Sequence, residues 1–86
     1  EGDAENVALI ESDKAEVLEV EIDAESVLAG RPIHESVQEL PDGVVVGAIT
    51  RDREFITPRG DTVVEVGDHV VVFAGLDVVD DVAPML

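Results

Sequence analysis

The chain has 86 residues and a formal net charge of −16, because 21 acidic side chains oppose 5 basic ones. A surface this negative repels phosphate backbones and anionic lipid headgroups, which excludes nucleic acids and membrane surfaces as partners. The sequence contains no cysteine, and its apolar runs are far shorter than the ~20 residues that cross a bilayer. Disulfides and direct membrane insertion are therefore excluded, and the length is that of one small domain.

The excess of carboxylates is typical of a folded protein adapted to high salt. Acidic chains with few aromatic residues are often disordered. Here, however, 45% of the residues are hydrophobic, and they recur with the periods of strands and helices. At ~1 M salt the Debye length is about 3 Å, so repulsion between surface carboxylates is largely screened. We therefore predict a halophilic source.

The N-terminal stretch, residues 1–15, is interpreted either as a linker or as a first strand leading from an upstream domain. Its apolar run at residues 6–10 is followed by a predicted turn at 11–13, and the chain starts at Glu1 without a methionine. Residues 16–86 are predicted to form the domain itself. The alternation in residues 15–22 predicts a half-buried strand, with one face formed by Leu18, Val20 and Ile22.

A loop at residues 23–30, in which Asp23 or Ser26 caps the following N–H groups, is predicted to precede a helix. The helix is predicted to run from Pro32 to Leu40, because proline is favoured in the first turn and Pro41 stops it. Its apolar stripe, which faces the sheet, is predicted to contain Ile33, Val37 and Leu40.

Residues 43–75 are predicted to supply most of the sheet. Residues 44–51 are nearly all apolar, which favours a central strand covered on both faces. The dipeptide at 52–53 is predicted to form a hairpin tip, and 54–57 the returning strand. The last strand is predicted at 69–73.

Two turns punctuate the second half of this region. The first is predicted at residues 58–61, where Pro58, Gly60 and Asp61 are typical turn residues. The second is predicted at Gly67 and Asp68. Both aspartates are expected to bond nearby backbone N–H groups.

Between these turns, three valines are predicted to run beneath the sheet: Val63, Val64 and Val66. After the last strand, Asp77 is predicted to cap a C-terminal helix that Pro84 ends. The fold class is therefore α+β, with a small, mainly antiparallel or mixed sheet packed with two short helices.

Neither a catalytic site nor a metal site is predicted. The only imidazoles are His34 and His69, no G-x-S-x-G stretch surrounds a serine, and the spaced aspartates of a calcium loop are missing. Arg51, Arg53 and Arg59 are predicted to hold local carboxylates such as Glu54 or Asp61.

A candidate anion site lies at the start of the predicted first helix. Arg31 precedes free N–H groups near Ile33 and His34, and such groups bind anions. The alternative, which we favour, is that Arg31 screens neighbouring carboxylates and His34 is exposed to solvent.

Three stretches resemble a known family. Arg51, at a strand end, is followed by FITPRGDT at residues 55–62 and VGDHVVVF at 66–73. Upstream, SVLAGRPIHES at 26–36 combines a small loop, a glycine, a basic residue and a helix start. In order and spacing they resemble the TrkA-C domain, also called the RCK C-terminal domain. With the acidic composition, this resemblance points to a halophilic archaeon as the source.

The resemblance implies a non-catalytic regulatory domain of a cytoplasmic Trk-type potassium uptake subunit, attached to the membrane only through a transporter subunit. It implies a homodimer and an upstream nucleotide-binding RCK domain, so that no cofactor belongs to this stretch. In some relatives cyclic di-AMP binds between two subunits, which gives Arg31 and His34 a ligand role. The alternatives are a purely structural dimerisation domain, or the same module on a cation/proton antiporter or another transporter.

Salt dependence tests the halophilic interpretation directly. We expect a higher urea midpoint of unfolding in molar KCl than in dilute buffer, because salt screens the repulsion among the carboxylates of the folded chain. Equal midpoints in the two solutions would contradict it.

Overall fold

Five antiparallel strands form a single sheet in the computed structural model, which describes residues 4–10 and 14–86. Across the sheet the strands are ordered β1-β2-β5-β3-β4. Their bounds are β1 Ala4–Ile10, β2 Ala15–Glu21, β3 Val44–Arg51, β4 Glu54–Ile56 and β5 His69–Gly75. Two short helices, α1 (Ile33–Ser36) and α2 (Val79–Val82), each continue into a 3₁₀ turn. The predicted α+β class is confirmed.

β1 pairs with β2 as an antiparallel hairpin, so the N-terminal stretch contributes a strand to the sheet. The turn predicted at residues 11–13 lies outside the described residues. The domain boundary predicted at residue 16 stays a prediction.

The core lies between one face of the sheet and the layer that contains both helices. The predicted alternation in β2 and the residue after it is confirmed, since Leu18, Val20 and Ile22 are all buried. β5 and β3 add Val70, Val72, Ala74 and Ile49 to the same face. Burying each large aliphatic side chain contributes about 1.5–3 kcal/mol. From the other layer the buried residues are Leu28, Ile33, Leu40, Val64, Val79, Val82 and Leu86.

α1 is shorter than predicted because the helix continues as a 3₁₀ turn from Val37 and ends at Leu40. Pro32 is the N-cap, and the 3₁₀ turn Val37–Glu39 ends at Leu40, whose backbone is extended. Pro41 accounts for this, since a residue that precedes proline is disfavoured in the α region. Of the predicted stripe, Ile33 and Leu40 are buried and Val37 is half-buried.

The predicted cap of the C-terminal helix is wrong. The N-cap of α2 is Val78, and no side chain caps the helix. A turn that follows β5 directly, with the Val78 N–H donating to the Gly75 carbonyl at 3.0 Å, moves the helix start beyond Asp77. Pro84 lies inside the following 3₁₀ turn, Ala83–Met85.

β3 is covered on one face only, which contradicts the prediction of a strand buried on both faces. Ile49 is fully buried, whereas Val45 is 59% exposed. Both helices pack against the same face of the sheet, and none of the residues that the structure describes forms a second layer on the opposite face. Val66, which was predicted to lie beneath the sheet, is likewise exposed, and Val64 alone of the three valines is fully buried.

A β-bulge interrupts the pairing of β3 with β5 at Gly47. Val46 pairs with Val72 and Ala48 with Val71, so Gly47 is the extra residue. A Cβ at Gly47 would overlap the ring of Phe73, with Cδ2 at 2.9 Å. Glycine at this position leaves room for the ring next to β3.

Substitution Gly47→Ala should therefore destabilise the fold by about 1 kcal/mol, because the Phe73 ring must move away. In a Phe73→Ala background the same substitution should cost much less, and urea unfolding of the four variants measures this coupling.

Gly60→Ala is the matched control, since its Cβ would meet only the His34 Cβ at 3.6 Å. An equal cost of Gly47→Ala with and without Phe73 would show that the ring is not the reason for the glycine.

Candidate functional site

The hairpin tip between β3 and β4 positions Arg51. Asp52 and Arg53 have φ values of 53° and 68°, and Arg51 pairs with Glu54. Two successive positive φ values define a type I′ turn, whose twist matches that of the flanking strands. The predicted hairpin tip is confirmed, and it places Arg51 as the last residue of β3.

Arg51 forms a bidentate ion pair with Asp68. Its Nε donates to Oδ1 and its Nη2 to Oδ2, both at 2.8 Å. The same Nη2 donates to the Val63 carbonyl at 2.9 Å, and Glu65 lies 3.5 Å from Nη1. The predicted partners, Glu54 and Asp61, are therefore replaced by Asp68 and Glu65.

The Asp68 carboxylate also closes the turn that contains it. Its Oδ2 accepts from the Glu65 N–H at 2.9 Å, and Gly67 adopts a φ of 94°. Two hydrogen bonds connect the turn to Ile22, the residue after β2. The Ile22 N–H donates to the Asp68 carbonyl, and the Gly67 N–H donates to the Ile22 carbonyl. Asp68 is 1% exposed. Its hydrogen bond from Arg51 lowers the pKa of the carboxyl, and this outweighs burial, which acts in the opposite direction.

A second turn docks on the first turn of α1. It is closed by the Thr62 N–H donating to the Arg59 carbonyl at 3.1 Å, one residue later than predicted. Pro58 precedes this turn, Gly60 and Asp61 lie within it, and both are exposed. The Arg59 N–H donates to the Thr62 hydroxyl at 3.0 Å, so Thr62 supplies the side-chain acceptor of this turn.

The backbone donors predicted to be free at the start of α1 are occupied. The Ile33 N–H donates to the Thr62 carbonyl and the His34 N–H to the Gly60 carbonyl, each at 2.9 Å. This contradicts an anion site built from those N–H groups. An anion at this position must be held by side chains.

Arg31 is paired with a carboxylate of the same segment. Its Nη1 lies 2.6 Å from Glu39 Oε2, and its Nη2 donates to the Val27 carbonyl at 3.2 Å. The hydrogen bond raises the pKa of Arg31 and lowers the pKa of Glu39. Both side chains are substantially exposed, so water and salt weaken the pair. His34, three residues later, is exposed.

The structure places the backbone of a further arginine near α1, since Arg59 precedes Gly60, whose carbonyl accepts the His34 N–H. Arg59 opens the turn that docks on α1, whereas Arg53 lies at the hairpin tip and Arg51 is engaged by Asp68. Sequence reasoning grouped the three arginines together. The TPRGDT stretch after the hairpin indicated a turn that contains Arg59. The docking of that loop on α1 was not predicted, because it depends on contacts between residues distant in sequence.

We define the α1 basic site as Arg31, His34 and Arg59. These side chains suit a small anion, with Glu39 as the competing carboxylate. Among the described residues, no three side chains of the metal-binding types gather in one place. In the same part of the chain, no helix is long and apolar enough to cross a membrane.

The sequence of this two-layer α+β domain matches a known family. A sequence profile of the TrkA-C domain matches residues 17–86, and the chain belongs to this family.

Curated relatives carry the same stretch. A Trk system potassium uptake protein TrkA homolog 2 from Methanosarcina mazei is 36% identical over 70 residues, which cover 81% of this chain and 15% of that protein. The Trk system potassium uptake proteins TrkA of Haemophilus influenzae and Halomonas elongata are 35% and 36% identical over 75 residues. These residues cover 84% of this chain and 16% of each relative. The chain thus spans about one sixth of the length of these relatives.

The Arg51–Asp68 pair gives a stability prediction. Asp68→Ala should lower the free energy of unfolding by about 3 kcal/mol, because it removes the acceptor of Arg51 and of the Glu65 N–H together. Arg51→Lys should destabilise less than Arg51→Ala, since lysine keeps the charge but not the bidentate geometry. Arg53→Ala, at the exposed hairpin tip, is the control and should stay within about 0.5 kcal/mol of the parent chain.

The same pair gives a pH dependence. Because the folded-state pKa of Asp68 is lowered, its stabilising contribution is fully present above its unfolded pKa of about 3.9. The contribution is lost as the pH falls through the folded-state pKa. Urea unfolding between neutral pH and pH ~3 should therefore show a smaller acid-induced loss in Asp68→Asn than in the parent chain. Equal losses would mean that other carboxylates dominate.

Proposed function

We propose that this chain is a non-catalytic regulatory domain of a cytoplasmic Trk-type potassium uptake subunit. Its partners are an upstream nucleotide-binding RCK domain, a membrane potassium transporter subunit, through which it is peripheral to the membrane, and a second copy of itself. The observation that carries this proposal is the TrkA-C match over residues 17–86, together with relatives named as Trk system potassium uptake proteins.

Regulation by such a domain requires two assembly states that bind a ligand with different affinities. The ligand shifts the population toward the state that it binds more tightly, and by no more than that difference in affinity. The α1 basic site is suited to this role because the loop carbonyls of Gly60 and Thr62, which accept from the first N–H groups of α1, join it to the second half of the sheet.

The proposed ligand is cyclic di-AMP, which carries two phosphodiester anions. Arg31 and His34 are its proposed contacts, with Arg59 as an additional one. The Arg31–Glu39 pair does not prevent this, because an exposed ion pair in high salt is weak and a phosphate gives the guanidinium an equivalent bidentate partner.

A second candidate is a purely structural dimerisation domain with no ligand of its own. The occupied N–H groups of Ile33 and His34, and the engagement of Arg31 by Glu39, favour it. In that case the effector would bind the upstream domain.

Calorimetric titration with cyclic di-AMP in molar KCl separates the two candidates. Ligand sensing predicts saturable heat for the parent chain and its loss in Arg31→Ala. Glu39→Gln should bind severalfold more tightly, because it frees Arg31 from its carboxylate.

Arg53→Ala, which removes an exposed arginine away from α1, is the matched control and should bind like the parent chain. The absence of heat for the parent chain would favour the structural candidate. Unchanged binding by Arg31→Ala would remove Arg31 from the site.

A further inference from the structure

The α1 basic site contains as much negative charge as positive charge. Arg31 donates to Glu39 at 2.6 Å. This hydrogen bond, and then the charges of Glu39 and Glu35, raise the pKa of Arg31, so both carboxylates act on it. Asp61 lies in the loop that docks on the first turn of α1, next to the residues that accept its N–H groups. Two arginines, Arg31 and Arg59, are thus combined with three carboxylates, in a chain whose formal net charge is −16.

The contact between Arg31 and Glu39 is open to solvent, unlike the contact between Arg51 and Asp68. The side chains of Arg31 and Glu39 are 35% and 55% exposed, and Glu39 accepts through one oxygen. Asp68 is buried and accepts from Arg51 through both oxygens. Salt weakens exposed ion pairs and screens buried ones much less. Concentrated salt should therefore loosen the pair at α1 and leave the pair that stabilises the fold in place.

Salt also acts unequally on the attraction and the repulsion that an anion meets at this site. A guanidinium attracts a phosphate at hydrogen-bond distance, about 2.8 Å. The carboxylates of the same segment, and those of the rest of the chain, repel it over longer distances. The Debye length falls from about 10 Å at 0.1 M salt to about 3 Å at 1 M. Added salt therefore removes the repulsion before it removes the direct contact.

Glu39 adds competition to this repulsion. A phosphate that binds Arg31 must displace the Glu39 carboxylate, which accepts from the same guanidinium. In dilute salt the pair is strongest and opposes the ligand most. In molar salt the exposed pair is weak, whereas a phosphate can accept from Arg31 in the bidentate geometry that Glu39 does not use. The competition thus declines as the salt concentration rises.

We propose that the α1 basic site has a salt gate, in which Glu39, supported by Glu35 and Asp61, opposes anion binding in dilute salt and yields to the ligand in concentrated salt. The ligand class is a small molecule with two phosphate or phosphodiester charges. The salt gate is a regulation of the ligand site described above, and it rests on the ligand-sensing part of the proposed function. Affinity that rises with salt is opposite to the behaviour of basic sites that bind phosphate backbones.

Such a gate would connect ligand sensing to the ion that the proposed subunit helps to accumulate. Potassium taken up with its counterions raises the ionic strength around the domain, and so raises the affinity of the α1 basic site. The ligand would then shift the population of assembly states most when potassium is already high. The domain would respond to ligand and salt together and only weakly to the ligand in dilute salt.

Calorimetric titration of the chain with cyclic di-AMP, at KCl concentrations from about 0.2 M to about 2 M, tests the salt gate. The series starts at the lowest concentration at which circular dichroism shows a folded chain. The Kd of the parent chain should fall by about tenfold over this range, because the repulsion is screened and Glu39 is released. The same series in NaCl should give the same Kd values, since screening depends on ionic strength and not on which monovalent cation is present.

Glu39→Gln removes the competing charge and should remove most of the salt effect. Its affinity should exceed that of the parent chain by about tenfold at the lowest KCl concentration and by about threefold at the highest, where the pair is already weak. The Kd of this variant should therefore change by only about threefold over the whole series.

Glu21→Gln is the matched control, because it removes the same charge from an exposed glutamate of β2. Glu21 follows the buried Val20, so its side chain lies on the face of the sheet away from α1. At every KCl concentration its Kd should stay within about twofold of that of the parent chain, since distant charges are largely screened.

The outcomes separate the salt gate from the proposed function. A Kd of the parent chain that is constant or rises with KCl overturns the gate and leaves the ligand site in place. So does a Kd that falls as steeply in Glu39→Gln, or one that Glu21→Gln changes as much as Glu39→Gln does. Different Kd values in KCl and NaCl overturn screening as the cause. The absence of heat at every KCl concentration overturns the ligand-sensing part of the proposed function and the gate with it.

Discussion

The ion pair between Arg51 and Asp68 holds together strand ends that are not consecutive in sequence. The two residues are 17 positions apart, and their bidentate contact joins the end of β3 to the turn that precedes β5. The same turn is bonded to the residue after β2, and Arg51 also holds the Val63 carbonyl. Three strands and the crossing segment, which we define as residues 57–68 between β4 and β5, thus depend on one buried carboxylate. A buried ion pair stabilises a fold little more than apolar residues at the same positions would. Removal of one partner alone is costly, because the remaining buried charge is left unpaired.

The crossing segment then determines the shape of the α1 basic site. Val64 is fully buried, and its carbonyl accepts a hydrogen bond from the Gly30 N–H. The carbonyls of Thr62 and Gly60 accept hydrogen bonds from the first N–H groups of α1. A four-residue helix with occupied donors has little capacity of its own to bind an anion. The proposed ligand would therefore be held by side chains, and the loop that docks on α1 contains Arg59. The hydrogen bonds from the Ile33 and His34 N–H groups also connect α1 to the segment that leads into β5.

Local patterns predicted the parts of the fold that local chemistry decides. The alternation around Leu18, Val20 and Ile22 predicted β2 and its buried face, and the polar dipeptide at Asp52 and Arg53 predicted a tight hairpin. The remaining errors concern contacts distant in sequence. No local signal shows that Asp68 is the partner of Arg51, or that the loop at Gly60 occupies the donors of α1. The apolar run of β3 predicted a strand buried on both faces. In the structure, the helical layer covers only one face of the strand. Arg31 and His34 lie at the start of α1 as expected, but Glu39 could not be identified as the partner of Arg31, because the helix turns into a 3₁₀ segment between them.

The most direct test of regulation through the α1 basic site is hydrogen–deuterium exchange of the chain in molar KCl, with and without cyclic di-AMP. The amides of Ile33, His34 and Thr62, which join α1 to the loop, should exchange more slowly when the ligand is present. The hairpin tip at Asp52 and Arg53 should be unaffected. Exchange rates that are identical with and without the ligand, or that slow uniformly over the whole chain, would contradict a ligand site at α1.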